Sequence, residues 1–423
     1  MLDLSKKLDI VVVGGSLAGL MTSIPLKRLG HTVTILERSP VPLLHDQGAG
    51  VVAGGETQAF YHKHDLSKRA IAVTSQARYY LDRAGNIIDR EDYQQRMTSW
   101  DLLYYLGRAN FDGVESDYLE QSPPRSEGEG RVSYEYGRLV TDVREAAGDK
   151  VEVTYKKTRK DEGESNDGAK PETMTADLLI AADGPSSHLR GMLLGDEAAD
   201  RKYAGYVAFR GTVPETEVSE SAAAVFVERF TFFHANGTQA LSYAIPGKAG
   251  NLARGQRLVN WVWYWNVDED SEEYKELMTD TDGNLHRFTL PTGGKMQPRV
   301  WDRQIARARE VLAPQFAEIV ANTKMPFVQA ITDVEPPARG TKIGRLLNGK
   351  ALIVGDALAG FRPHTAASTS QAAFHALMLE KVFGEEIDWD EYDEQVLNFA
   401  WSWQRRGVML GNRSQFGHHP LAS

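Results

Sequence analysis

The stretch LDIVVVGGSLAGLMTSIPLKRLGHTVTILERSP, residues 8–40, constrains this chain more than any other. Residues 10–13 form an uninterrupted apolar run of the kind buried in a parallel sheet. Gly14, Gly15, Ser16, Leu17, Ala18 and Gly19 then turn the chain into a helix expected over about 17–29, Gly30 ends it, and 31–36 is the next strand. That is a βαβ unit. An acid, Glu37, closes it 18 residues past Gly19, close to the roughly 20 of a dinucleotide-binding fingerprint. In such a unit Gly14 permits the sharp turn, Gly19 lets helix and strand pack closely, the helix N-terminus offers free N–H groups to a pyrophosphate, and Glu37 accepts from a ribose. Ser16 stands where the pattern wants its second glycine, so an ordinary βαβ unit without a nucleotide is the competing reading.

Bulk properties narrow the partners. At 423 residues there is room for two lobes with sizeable cores, and the net charge of -10 argues against nucleic acid and against an anionic membrane surface. The absence of cysteine removes disulfides, thiolate catalysis, iron–sulfur clusters and Cys-based zinc sites. Residues 1–10 lack the apolar core of a signal peptide and no run of about 18 apolar residues is found, so a soluble, cytoplasmic protein is expected. His45, His62 and His64 lack the spacing and acidic company of a metal site, and no metal is expected.

Further along, Gly48, Gly50, Gly54 and Gly55 suggest a loop approached closely by something else, followed by a helix near Glu56. Leu102, Leu103 and Leu106 mark a helix capped by Thr98 or Ser99. Strands follow around a charged, Gly-rich segment, 158–171, read as a solvated hairpin tip. From 203 to 291 the pattern becomes strands with no helices between them, which implies an antiparallel sheet inserted into the first domain. Helical pattern returns at about 303–322; a buried strand at 351–354 delivers Gly355 and Asp356, and a helix starts near Thr369. One more amphipathic helix and a polar tail follow Asp388.

Three stretches place acids or glycines at strand ends: GGSLAG with LER, ADLLIAADGPSSHLR with Asp183 and Gly184, and ALIVGDALAGFRPHTAASTSQAA with Gly355, Asp356 and Pro363. In this order they resemble the single-component aromatic hydroxylases, the group A flavoprotein monooxygenases, over nearly the whole chain. The resemblance implies an α/β fold: a Rossmann-type, glutathione reductase-like FAD-binding domain (1–200 and 325–385, with substrate-side insertions near 60–110), an antiparallel substrate domain at 201–324, and a C-terminal helix and tail at 386–423. Ser16, Ser99 in place of the arginine most members carry before this helix, and RPHTAA in place of a glycine-rich turn look like the subgroup typified by 2,6-dihydroxypyridine hydroxylase.

What the resemblance implies is hydroxylation of a small phenolic or hydroxy-N-heteroaromatic substrate by O2 through a flavin C4a-hydroperoxide, with FAD resident and NAD(P)H a transient cosubstrate. A flavin oxidase or reductase, an epoxidase or decarboxylating hydroxylase, and a non-catalytic dinucleotide-binding module are the alternatives. The implied FAD contacts are Gly14, Gly15, Ser16, Leu17, Ala18, Gly19, Glu37, Arg38, Gly50, Val51, Asp183, Gly184, Gly355, Asp356, Thr365, Ala366, Ala367 and Ser368. A helix N-terminus after Pro363 would face the flavin ring and stabilise negative charge there.

For substrate contact, strand alternation puts Tyr206, Ala208 and Arg210 on one face and Val207 and Phe209 on the other, without saying which meets the flavin. The resemblance implies that the strand carrying VAFRG borders the active site, which makes Phe209, Arg210 and Tyr243 the candidates, against a plain core reading for each. His234 and His364 are candidate bases, His364 the better placed. Trp261, Trp263 and Trp265 share one strand face without the Ile-Pro of flavin halogenases; they pack against another layer or a second subunit, which would make a homodimer.

Overall fold

A computed structural model describes residues 3–42, 50–158 and 170–422. Gly48, His45 and most of the solvated hairpin tip lie outside the described residues. Five parallel strands form the first sheet, in the order Ala351–Ile353, Leu178–Ala181, Asp9–Val13, Thr32–Leu36, Val132–Glu135. Their ends are level: Gly14 N–H donates to Leu36 O (2.9 Å), Ala182 N–H to Val13 O (2.8 Å) and Val354 N–H to Ala181 O (2.9 Å). Gly14, Glu37, Asp183 and Gly355 therefore emerge along one rim. Helices Leu17–Arg28, Trp100–Asp112 and Ser368–Phe383 pack with this sheet in one apolar core, which the antiparallel strands Arg138–Ala146, Lys150–Lys157 and Glu172–Ala176 help to close.

The second sheet has eight strands, in the order Thr289–Leu290, Phe327–Asp333, Lys202–Pro214, Leu258–Asn266, Thr238–Ile245, Arg229–Ala235, Ala77–Leu81, Ile87–Glu91. It thus draws strands from outside residues 201–324, and one of its pairs, Arg229–Ala235 with Ala77–Leu81, is parallel. Two helices interrupt the region expected to be strands alone. Glu220–Phe226 and Glu272–Met278 are each seven residues long, too short to display a period, yet each has a serine cap: Ser219 Oγ accepts from Ala222 N–H (3.2 Å) and Ser271 Oγ from Tyr274 N–H (3.1 Å). The helical stretch at 303–322 is in fact two helices, Pro298–Val311 and Pro314–Ala321, because Pro314 can start a helix but cannot continue one.

These helices cover the back of the sheet. Trp261 and Trp263 are buried there, Trp261 stacked on Trp301 at 6.2 Å, with their indole N–H groups donated to Thr323 and Thr238. The tryptophan stripe is core.

Candidate active site

The diphosphate-type turn is forced into shape by its glycines. Gly14 has φ +103° and a Cβ there would lie 2.3 Å from Ala182 O; a Cβ on Gly19 would lie 2.0 Å from Gly14 O. Ser16 caps the helix Leu17–Arg28 by backbone only, its hydroxyl making no capping bond, so the N–H groups of the first turn stay free for an anion. Glu37 is buried and accepts from Gly15 N–H and Ser39 N–H, both at 2.8 Å. Arg38, beside it, is exposed.

Asp183 is used locally, accepting from Ser187 Oγ (2.6 Å) and from His188 and Leu189 N–H (3.0 and 3.3 Å) at the start of helix His188–Leu194. Its neighbour Gly184 has φ +80°. Arg190, from the same helix, ties this loop to the late motif by donating to Ala357 O (3.0 Å) and Pro185 O (3.2 Å). Asp356 lies in that motif. Burial pushes its carboxyl up to about 6 against the opposing pull of Ser368, Arg201, Gln371 and Arg190. Gly355 N–H donates to His375 Nδ1 (2.9 Å), a buried helix residue that strand-end reasoning had no way to find.

Pro363–Thr365 forms a single 3₁₀ turn and Ala366 follows at φ +51°, a left-handed conformation unfavourable for alanine, before Ala367 and Ser368 open the sixteen-residue helix Ser368–Phe383. His364 Nε2 is 2.9 Å from Tyr206 Oη, and its ring stacks on Tyr264 at 4.1 Å. Burial, helped by Arg362, pulls its pKa down to about 3. Arg362 itself grips both carboxylate oxygens of Asp333 and the Asn412 side chain.

The turn thus meets the sheet face of Tyr206, Ala208, Arg210, Val262, Tyr264, Leu241 and Tyr243. Phe209 is a correction: it points the other way, buried against Trp263 at 5.2 Å, because it is one residue out of phase with Arg210. Arg210 shares the face of Tyr206 and Ala208. It donates to Gly50 O (3.3 Å) and Gln329 Oε1 (3.4 Å), has no carboxylate partner among the described residues, and its buried Nε is unbonded. Gly50 N–H is in turn held by Asn260 Oδ1 at 3.0 Å, and Val51 pairs with Thr98. Tyr243 is buried beside Phe230, its hydroxyl pushed up to about 12 by burial. His234 lies on this face but in a strand, with its ring covered by His419 at 3.6 Å and its pKa pulled to about 3 by burial, then by His419. Tyr206, Tyr264 and Asn260 were not among the candidates: the sheet register brings Tyr206 and Tyr264 to His364 and Asn260 to Gly50.

The residues fit FAD: a turn with no room for Cβ atoms, free helix N–H groups, a rim of acids, and a second helix N-terminus facing a sheet with unbonded polar atoms. Fold and site together define a flavin-binding oxidoreductase with a substrate sheet. A family model described as FAD binding domain-like matches residues 203–333, which is the second sheet rather than the first. The 2,6-dihydroxypyridine 3-monooxygenase of Paenarthrobacter nicotinovorans is 30% identical over 407 residues, covering 95% of this chain and 88% of that relative. The 6-hydroxynicotinate 3-monooxygenase of Pseudomonas fluorescens is 25% identical over 289 residues, 67% of each. A solved structure, 2,6-dihydroxypyridine-3-hydroxylase from Arthrobacter nicotinovorans, superposes with a TM-score of 0.79 at 25% identity over 99% of this chain and 96% of that one. The chain belongs to the FAD-dependent aromatic monooxygenases, in the 2,6-dihydroxypyridine hydroxylase-like subgroup.

Proposed function

We propose that this protein uses NAD(P)H and O2 to hydroxylate a small hydroxy-N-heteroaromatic ring that binds as its oxyanion. The observation that carries the reading is the set of groups on one sheet face: neutral His364 on Tyr206 and, four residues along the same strand, Arg210, which has no carboxylate partner among the described residues. FAD, when bound and reduced, supplies the electrons that split O2, one oxygen atom going to the ring and the other to water.

The protein's task is to hold the substrate as its oxyanion. Arg210 offers its guanidinium to the ring oxyanion, which a water-poor pocket would otherwise disfavour. In the tautomer that donates Nε2–H to Tyr206 Oη, His364 stays neutral, too weak a base to take a proton, and its Nδ1 accepts a hydrogen bond from a ring N–H or O–H that orients the substrate. Tyr264, stacked flat on the imidazole, keeps that ring in one orientation. Tyr206 is held in turn by Arg362, whose Nη1 lies 3.5 Å from its oxygen.

Anaerobic stopped-flow tests the reading. The yellow protein is mixed with NADH or NADPH, alone and with dihydroxypyridines, hydroxynicotinates and hydroxybenzoates, and flavin bleaching is followed. Strong acceleration by one hydroxypyridine is expected. Bleaching by a substrate without nicotinamide would replace the reading with an oxidase.

A further inference from the structure

Ser16 and Ser99 stand where the resemblance calls for glycine and arginine, and the structure has other residues near both places. Ser99 is the N-cap of helix Trp100–Asp112, its Oγ accepting from Leu102 N–H at 3.3 Å. Two turns along the same helix lies Arg108, buried to 3% exposure. Its Nε and Nη2 donate to the Asp112 carboxylate at 3.1 and 2.8 Å, and its Nη1 donates to Tyr104 Oη at 2.9 Å and to Tyr136 Oη. The guanidinium carbon sits 3.8 Å over the ring of Tyr134.

Tyr134 comes from the edge strand Val132–Glu135 and reaches across to the glycine turn, where its hydroxyl donates to Gly15 O at 3.0 Å. Its oxygen lies only 2.0 Å from where a Cβ on residue 15 would be, so glycine at 15 is required by this tyrosine. Glu37 Oε2 holds Gly15 N–H from the other side at 2.8 Å. Both polar groups of residue 15 are thus fixed from outside the turn, and Ser16 starts the helix from that fixed point.

We propose that Tyr134, braced by Arg108, is a positioning residue for the FAD diphosphate: it sets the Gly14–Ala18 turn so that the first-turn N–H groups converge on the ligand. The proposal rests on FAD being the resident nucleotide. Arg108 acts through Tyr134, since among the described residues its hydrogen bonds go to Tyr104, Asp112 and Tyr136 and none to the turn.

The test is equilibrium titration of apoprotein with FAD, and with ADP as a probe of the diphosphate half alone, alongside thermal melting of each apoprotein. Tyr134→Phe is expected to weaken FAD and ADP by the same factor, about 3- to 10-fold for one neutral hydrogen bond, with the melting temperature unchanged. Arg108→Lys keeps the charge but not the plane that spans Tyr104, Tyr136 and Asp112, and should show a smaller weakening of the same kind. Wild-type affinity for both ligands in Tyr134→Phe overturns the proposal. So does a loss of affinity matched by a fall in melting temperature, which marks the hydroxyl as structural, or a loss confined to FAD. A wild-type apoprotein that takes up ADP but no FAD overturns the cofactor reading, and the assignment to FAD with it.

Discussion

Tyr206 and His364 stand 158 residues apart in the chain and share a 2.9 Å hydrogen bond that joins the second sheet to the turn ahead of helix Ser368–Phe383. This contact brings a titratable ring, a phenol and an arginine-bound network to one point. If the Nδ1 of neutral His364 orients the substrate through one hydrogen bond, His364→Ala raises the substrate KM about 3- to 10-fold. Because the imidazole stays neutral at every working pH, the deficit does not change with pH. Steady-state kinetics across pH measures this, and a deficit that disappears at high pH would instead give His364 a part in proton transfer.

If Asp356 accepts from the ribityl chain, FAD binding is expected to depend on pH. Its folded-state pKa is raised to about 6, so below that value the carboxyl is protonated, whereas hydroxyls donating to it would favour the carboxylate. FAD affinity of apoprotein therefore falls as pH drops below 6, by up to about tenfold per pH unit, and is level above about 7. The same raised pKa makes the carboxylate a small liability to the apoprotein, whose stability contribution from this group declines between about pH 4 and 6. Asp356→Asn removes the pH dependence; fluorescence titration at pH 5, 6 and 7.5 checks it.

Arg210→Met should raise the substrate KM about 10- to 100-fold, the range for losing a hydrogen bond to a charged group, and leave FAD affinity unchanged. Steady-state kinetics on the substrate found by stopped-flow, with FAD titration in parallel, separates the two. An equal rise for a ring lacking an acidic hydroxyl would mean that Arg210 shapes the pocket without binding an anion.

Phe209→Ala should cost about 3–5 kcal/mol of folding stability, as for other buried aromatic truncations, with the substrate KM unchanged in the folded enzyme. Urea unfolding and steady-state kinetics together check the assignment of Phe209 to the back of the sheet.

The first sheet was legible because its signals are local. Gly14 at a positive φ, an apolar strand before it and an acid at the end of the next strand all act within about thirty residues of chain. Which face of the second sheet meets the turn was not legible, since alternation is symmetric and the tie is broken by the contacts of Tyr206 and Tyr264 with His364. The candidates on that sheet therefore divided by face: Arg210 and Tyr243 lie on the face of Tyr206 and Tyr264, and Phe209 lies on the other. The brace on Gly15 was invisible for a related reason. Tyr134 lies 119 residues from Gly15, and nothing around either residue announces the other.

The strand Lys202–Pro214 and its neighbours carry two interleaved instructions. Val207, Phe209, Trp261 and Trp263 tell the chain to fold, while Ala208, Arg210, Val262 and Tyr264 tell it what to hold. The two sets alternate residue by residue and touch different neighbours. Substitutions confined to the face of Ala208, Arg210, Leu241, Tyr243, Val262 and Tyr264 therefore leave the tryptophan layer on the other face intact, so what the sheet holds can change without loosening what folds it.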